Sequence, residues 1–134
     1  MRCVYLDTCL LIYWVEQADS LAEAVFRWLS KQTDVTMCVS PLVRLEVLVK
    51  PKRTGNIALV RAYETLLSAQ EWLPINDELF QQALDLRVRF GLKTPDAIHL
   101  AIAQYYRCDE IWTNDDRLNK AAGTMAVNIL AELA

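Results

Sequence analysis

Two acidic residues follow short apolar segments that resemble β-strands. Asp7 comes directly after the segment Arg2–Leu6, and Asp115 comes shortly after the segment Glu110–Thr113. Open parallel sheets place their ligands at the carboxyl ends of their strands. If these two strands are neighbours, both carboxylates meet at one edge of the sheet, where they could hold a cation.

Two further acidic residues, Glu46 and Asp96, lie in segments with helical patterns. Asp96 follows Pro95 in the first turn of its helix, so ordinary helix capping explains it as well as metal binding does. Glu46 interrupts the largely apolar run Leu42–Val49. A buried, unpaired carboxylate is costly, so either Lys50, four residues on, or a bound cation should compensate its charge.

Taken together, the four carboxylates would raise one another's pKa values unless a cation enters. Oxygen ligands favour hard cations such as Mg²⁺ or Mn²⁺. His99, the only histidine of the chain, cannot build a zinc site; it could touch the cluster, but core packing is its expected role. A hard cation that activates water can hydrolyse a phosphodiester without a nucleophilic serine or cysteine.

Strand-like segments alternate with amphipathic helical segments, and no Gly/Ser-rich linker or repeat interrupts them. This alternation predicts an α/β fold around a parallel sheet. The length of 134 residues fits a single domain over residues 1–134. Strands are expected at Arg2–Leu6, Val35–Val39, Glu71–Ile75, Glu110–Thr113 and Val127–Leu130. Helices are expected near 9–17, 20–32, 41–49, 56–69, 77–90, 95–106 and 116–122, with an irregular basic loop at 50–56.

Capping residues mark several helix starts. Ser20 and Glu23 have the spacing of a capping box. Ser40 and Thr94 each place a hydroxyl before a first-turn proline, and Asn76 opens the segment 77–90.

The order of these motifs resembles that of PIN-domain nucleases, most closely the VapC-type toxins of toxin–antitoxin pairs. The matching pieces are Val4–Thr8, Glu46, Thr94–Ala101 and Trp112–Asp115, and the likeness covers the chain from residue 2 to about 130. It implies a three-layer α/β/α sandwich with a central parallel sheet of four to five strands. It also implies a metal-dependent endoribonuclease whose products carry a 5′-phosphate.

The resemblance further implies a role for each site residue. Asp116 would ligate a second ion or merely begin its helix, while Thr8, Thr113 and Asn114 would support the ligands through hydrogen bonds. Cys9 stands where a small polar residue is common in the family, which leaves the hydrogen bonding around Asp7 open. The implied Mg²⁺ or Mn²⁺ ligands are Asp7, Glu46, Asp96 and Asp115.

The expected partners are RNA, a protein antitoxin and a second copy of the chain. The cations expected to hold RNA are Lys50, Lys52 and Arg53, with Arg87, Arg89 and Lys93 as a second group; solvated charge is the alternative for each. Apolar residues of the early helices exceed what a small core needs, and some should line an antitoxin groove. These residues are Leu11, Tyr13, Trp14, Leu21, Phe26 and Trp28.

The bulk composition agrees with a folded cytoplasmic protein. Neither a signal-peptide core nor an apolar run of membrane-spanning length is present. The four cysteines show no C-x-x-C spacing and are expected as reduced core thiols. The net charge is −3, but without the four candidate ligands it would be +1, so acidity is no objection to RNA binding.

Two other classes of function were weighed against this one. A phosphatase of the haloacid dehalogenase kind needs a second aspartate two residues after the first, and position 9 is a cysteine. A PIN-fold binding module that has lost catalysis would not need all four acids. A housekeeping RNA-processing nuclease of the same fold remains an alternative to the toxin.

Overall fold

The structure, a computed structural model, describes residues 2–16 and 20–128; for residues 20 and 21 only the backbone is described. Within these residues five parallel strands form one sheet in the order β3-β2-β1-β4-β5. The strands are β1 (Arg2–Leu6), β2 (Val35–Val39), β3 (Glu71–Trp72), β4 (Glu110–Thr113) and β5 (Ala126–Asn128). The predicted parallel α/β architecture is therefore confirmed.

Seven α-helices lie between these strands in the described part of the chain. They are α1 (Thr8–Glu16), α2 (Ser20–Ser30), α3 (Pro41–Arg53), α4 (Ile57–Ser68), α5 (Asp77–Phe90), α6 (Thr94–Tyr105) and α7 (Asp116–Ala122), and a 3₁₀ turn, Gly123–Met125, precedes β5. Right-handed crossovers place α1–α4 on one face of the sheet and α5–α7 on the other. The packing of α1 on α2, α3 and α4, and of α6 on α5 and α7, agrees with these three layers.

The chain reverses its direction across the sheet next to β1. It runs from β1 outward to β2 and β3, then returns to add β4 and β5 on the other side of β1. Leu6 pairs with Trp112, and the backbone N–H of Asp7 donates to the carbonyl of Trp112 at 3.0 Å. The carboxyl ends of β1 and β4 therefore adjoin at a topological switch point, where open α/β sheets bind their ligands.

The central strands are buried on both faces, which explains their continuous apolar sequences. Val4, Tyr5 and Leu6 of β1 are fully buried, and the ring of Trp112 on β4 lies against that of Trp28, with 4.7 Å between centroids. No helix in the described ranges has both the length and the apolar character needed to cross a membrane.

Two element boundaries were predicted wrongly. β3 ends at Trp72 because Pro74 has no N–H to extend the ladder, so the strand does not reach Ile75. The irregular loop was expected to begin at residue 50, but α3 continues for one more turn, through Lys50, Pro51 and Lys52 to Arg53. Lysine and arginine are good helix formers and are favoured at the negative end of the helix dipole.

The capping predictions had mixed outcomes. Ser40 and Asn76 cap α3 and α5, accepting hydrogen bonds from the N–H groups of Val43 and Leu79. Thr94 was expected to cap α6 but is already inside it, and that helix begins without a side-chain cap. The side chain of Ser20, and residues 17 and 129–130 of the predicted elements, lie outside what the structure describes.

Candidate active site

Asp7 connects the end of β1 to the start of α1, and its side chain is only 10% exposed. The backbone N–H of Thr8 donates to Oδ1 at 2.8 Å, and the hydroxyl of Thr113 donates to Oδ2 at 2.6 Å. These two bonds fix the orientation of the carboxylate. Each oxygen keeps lone-pair capacity for a further partner.

The thiol of Cys9 contacts the same carboxylate. Burial and the neighbouring charge of Asp7 raise the pKa of Cys9 to about 12, so this thiol stays protonated at neutral pH. It donates to Asp7 Oδ2 across 3.7 Å. Cys9 thus supplies a weak donor where a small polar side chain was expected.

Asp115 is held against Asp7 through Thr113. The hydroxyl of Thr113, which donates to Asp7, also accepts the backbone N–H of Asp115 at 3.1 Å. Asp115 caps α7 by accepting from the N–H groups of Arg117 and Leu118 on Oδ1. The two strand-end aspartates are therefore linked by one buried hydroxyl.

The two residues that flank Asp115 have different surroundings. Asn114 donates through Nδ2 to the hydroxyl of Tyr13 at 3.0 Å rather than to a carboxylate. Asp116 is exposed in the first turn of α7.

Asp96 occupies the first turn of α6 and is half-buried. Burial raises the pKa of its carboxyl, and the charges of Asp115, Asp7 and, less strongly, Glu46 raise it further, while His99 acts in the opposite direction. The shift places Asp96 within electrostatic reach of the other three predicted acids. A raised pKa is expected for a half-buried carboxyl beside other carboxylates when no cation is present.

Glu46 reaches across from α3 and pairs with His99 of α6. Its Oε1 lies 2.5 Å from His99 Nε2 and accepts the hydroxyl of Thr8 at 2.8 Å. Burial alone would raise the pKa of Glu46, but the hydrogen bonds and the charge of His99 outweigh it, so the pKa is lowered. Within the described residues, the close basic partner of Glu46 is thus His99 and not Lys50.

His99 is 1% exposed, and both of its ring nitrogens have partners. Nε2 faces Glu46 and lies 3.7 Å from Asp7 Oδ1. Nδ1 lies 2.6 Å from the hydroxyl of Tyr5, which in turn lies 2.8 Å from Ser40 Oγ. A buried polar chain therefore runs from the cap of α3 through the centre of the sheet to the acidic cluster.

The PIN-domain family model matches residues 4–124, most of the chain. The chain belongs to the PIN-domain family. A toxin–antitoxin complex from Klebsiella pneumoniae is similar at 25% identity and a TM-score of 0.75, over 94% of this chain and 97% of that one. No curated protein sequence matches significantly.

Two structures of lower identity support the PIN fold. VapC20 of Mycobacterium tuberculosis, described as a sarcin–ricin loop cleaving toxin, has a TM-score of 0.78 at 15% identity over 93% of this chain and 97% of that one. VapBC2 of Rickettsia felis, bound to a fragment of promoter DNA, has a TM-score of 0.74 at 14% identity over the same shares.

The donor set of this PIN domain suits a hard cation. Asp7, Glu46, Asp96 and Asp115 offer carboxylate oxygens, and the protonated thiol of Cys9 is no competitor for the ion. Among the described residues, no three of these carboxylates bring oxygen atoms within 4.8 Å of one another, so they do not form a preformed ligand shell. The one such group of potential metal ligands in the described ranges consists of cysteines. A cation would have to draw the carboxylates inward, and its charge would offset both the burial and the neighbouring negative charges that raise the pKa of Asp96.

Several basic residues are exposed on the helices that carry the site acids. Lys50, Lys52 and Arg53 are exposed in the last turn of α3. A surface cleft of about 580 Å³, lined by Phe90, Gly91, Arg117, Lys120 and Ala121, adds two cations on the helix that Asp115 caps. Sequence reasoning missed Arg117 and Lys120, although their position directly after the Asp115 motif was a usable signal.

The second basic group has other contacts. Arg87 donates through Nε to the carbonyl of Leu92, and the guanidinium of Arg89 lies over the ring of Phe90 at 5.2 Å. Lys93 is exposed at the N-cap of α6.

The apolar residues of the early helices, some of which were expected to line a groove, differ in how deeply they are buried. Leu11 is buried in the core and so is not one of the residues that could line a groove, and Trp28 packs against Trp112. Tyr13 and Trp14 are half-buried against the core, and Phe26 is exposed. The side chain of Leu21 is not among those that the structure describes.

Proposed function

We propose that this PIN domain is a metal-dependent endoribonuclease that acts as the toxin of a toxin–antitoxin pair. One observation carries the proposal: at the switch point of the sheet, Thr8 and His99 lie against both Asp7 and Glu46, and Thr113 joins Asp7 to the backbone of Asp115. Asp96 lies in the first turn of α6, the helix that carries His99, and burial, followed by the charges of Asp115 and Asp7, raises the pKa of its carboxyl. Four acids held in one partly buried place disfavour one another's ionisation, so such a group indicates a site for a cation. The similarity to a toxin–antitoxin complex at 25% identity supports the biological role.

The proposed cation is Mg²⁺ or Mn²⁺, held by the four acids with Asp116 as an accessory ligand. When bound, it would supply a Lewis acid that polarises phosphate and lowers the pKa of water. The chain's own residues prepare for it. Thr113 and the N–H of Thr8 hold Asp7 in one orientation, and His99 keeps Glu46 ionised at the same edge.

Holding the RNA requires cations beside this acidic edge, because the carboxylates repel phosphate. Two exposed groups lie on helices that carry site acids: the end of α3, with Lys50, Lys52 and Arg53, and the cleft on α7, with Arg117 and Lys120. We expect them to position phosphates on either side of the scissile bond.

The antitoxin partner is proposed because structures similar to this one contain an antitoxin. Similar structures include complexes of toxin with antitoxin, one of them on promoter DNA. An inserted arginine or lysine would neutralise the acidic cluster and block it, so we expect the antitoxin to present such a side chain. We further expect residues 1–134 to act as one domain and to form a homodimer in the cytoplasm.

RNA cleavage by the purified chain tests the enzyme. With Mg²⁺ or Mn²⁺, the wild type should cut RNA internally, and Asp7→Asn should abolish cleavage while leaving the fold intact. Asp85→Asn, which neutralises an exposed aspartate of α5, is the matched control and should cut at the wild-type rate. Equal rates for all three proteins would remove Asp7 from the site.

Growth in the host tests the toxin role separately. Expression of the chain alone should arrest growth, and coexpression of the neighbouring short gene should relieve the arrest and yield a complex with suppressed cleavage. Active nuclease that is harmless to its host and recovers no partner would instead indicate an RNA-processing enzyme.

A further inference from the structure

Three of the four cysteines meet at a place distinct from the acidic cluster. Cys3 of β1, Cys38 of β2 and Cys108 of the α6–β4 loop bring their Sγ atoms within 4.8 Å of one another. The Cys3 sulfur lies 3.2 Å from that of Cys38 and 3.4 Å from that of Cys108. Along β1, Cys3 precedes Asp7 by four residues, about 13 Å at the rise of a strand.

The strand register disfavours a disulfide between Cys3 and Cys38. Cys3 pairs with Thr36, whereas Cys38 pairs with Tyr5. The two cysteines are therefore diagonal on neighbouring strands, which corresponds to Cα atoms about 8 Å apart, beyond the roughly 7 Å that a disulfide can bridge. All three thiols are free.

The backbone that carries these sulfurs is firmly held. The N–H of Asp109 donates to the carbonyl of Cys3 at 2.8 Å, and the N–H of Cys3 donates to the Asp109 carboxylate at the same distance. This pair of bonds fixes Cys108, the preceding residue, against β1. The β1–β2 ladder fixes Cys38 in the same way.

The cluster also contains a thiol that ionises readily. The hydrogen bond from Cys108, assisted by one from Cys3, outweighs the effect of burial and brings the pKa of Cys38 to about 7. The contacts among the three sulfurs therefore favour ionisation of Cys38, which is the direction that metal ligation requires. Cys38 and Cys108 are 1% and 4% exposed, and the half-exposed Cys3 gives access from solvent.

The number of ligands selects the class of metal. Within the described residues, no carboxylate or imidazole joins the three sulfurs within 4.8 Å. Structural zinc sites take four ligands, whereas soft Cu(I) is satisfied by three thiolates. Metal–sulfur bonds of about 2.3 Å around one ion require sulfurs about 3.8–4.0 Å apart. The Cys3 sulfur lies 3.2 Å from that of Cys38 and 3.4 Å from that of Cys108, so each of these pairs needs to separate by about 0.4–0.8 Å.

We propose that Cys3, Cys38 and Cys108 form a trithiolate site for a single soft, monovalent metal ion of the Cu(I) class. Binding forms three metal–sulfur bonds, and each thiol that is still protonated gives its proton to the buffer; no electron is transferred. The ion would tie β1, β2 and the α6–β4 loop together at the core of the sheet. This site is independent of the acidic cluster and of the proposed RNA cleavage.

Anaerobic titration with Cu(I) against a chromogenic Cu(I) chelator tests the site. The wild type should withdraw one Cu(I) per chain, and Cys38→Ser and Cys108→Ser should each bind at least about 100-fold more weakly. Cys9→Ser is the matched control, since Cys9 lies outside the cluster, and it should bind as tightly as the wild type. X-ray absorption should show three sulfur neighbours around the copper.

Three results would overturn the proposal. The first is a wild type that cannot withdraw Cu(I) from the chelator, and the second is a Cys9→Ser variant that loses as much affinity as Cys38→Ser. The third is copper with nitrogen or oxygen neighbours. Circular dichroism of each variant, with Cys38→Ala as a second replacement, verifies that the fold survives.

Discussion

Replacing Tyr5 by phenylalanine would remove one hydroxyl from the centre of the buried polar chain and leave the ring in place. That hydroxyl lies 2.6 Å from His99 Nδ1 and 2.8 Å from Ser40 Oγ. Both partners are almost fully buried, at 1% and 0% exposure, so water cannot easily replace the lost contacts. We therefore expect Tyr5→Phe to destabilise the protein strongly for so small a change.

The magnitude follows from the two partners. A buried polar group left without a hydrogen bond costs about 1–3 kcal/mol. Ser40 still accepts the N–H of Val43 at 3.4 Å, which puts its cost at the low end, whereas His99 Nδ1 loses a short bond. The sum is about 3 kcal/mol, which corresponds to about a 10 °C lower melting temperature for a chain of this size.

Tyr63→Phe provides the matched control. Tyr63 is also fully buried, but its hydroxyl donates to the carboxylate of Glu16, an exposed residue that water can solvate after the change. We expect this variant to lose about 1 kcal/mol. Urea unfolding, followed by circular dichroism, compares the two. A Tyr5→Phe variant no less stable than Tyr63→Phe would refute the reasoning about the buried chain.

Two further predictions concern charge. The pKa of Asp96 is raised above 3.8 in the folded state, so the folded protein holds this proton more tightly and loses stability as the pH rises through the raised pKa. Asp96→Asn should therefore melt higher than the wild type at pH 7 in EDTA, and this gain should vanish as the pH is lowered towards 3.8; a lower melting temperature at pH 7 would contradict it. Replacing Lys52 and Arg53, or Arg117 and Lys120, by neutral residues should weaken RNA binding more at low salt than at high salt. If replacing a pair leaves RNA binding and its salt dependence unchanged, that pair is not part of the RNA surface.

The sequence predicted the elements around the acidic site because local patterns encode them. Asp7 and Asp115 each follow an apolar strand, and Asp96 follows a first-turn proline. The sequence could not show that β1 and β4 are neighbours, because the order of strands depends on long-range packing. The structure shows that they are, through the pairing of Leu6 with Trp112.

The partners of Glu46 could not be predicted from spacing. Lys50 is the natural partner on an isolated helix, because residues four apart share a face. The actual partner, His99, lies 53 residues away on the opposite helical layer. Tyr5 and Ser40 looked like core and cap residues, and only the tertiary fold brings their hydroxyls together.

The thiol cluster was hidden for a related reason. Cys3, Cys38 and Cys108 are separated by 35 and 70 residues and show no ligand spacing along the chain. Their proximity depends on the register of β1 against β2 and on the loop that Asp109 fixes to β1.

Single-turnover RNA cleavage as a function of metal tests the central claim most directly. Metal-free protein in EDTA should be inactive, and Mg²⁺ or Mn²⁺ should restore cleavage to the wild type but not to Asp7→Asn. The same metal should raise the melting temperature of the wild type, because the ion relieves the repulsion between the acids. Cleavage that persists after rigorous metal removal, or that Asp7→Asn retains, would contradict the account.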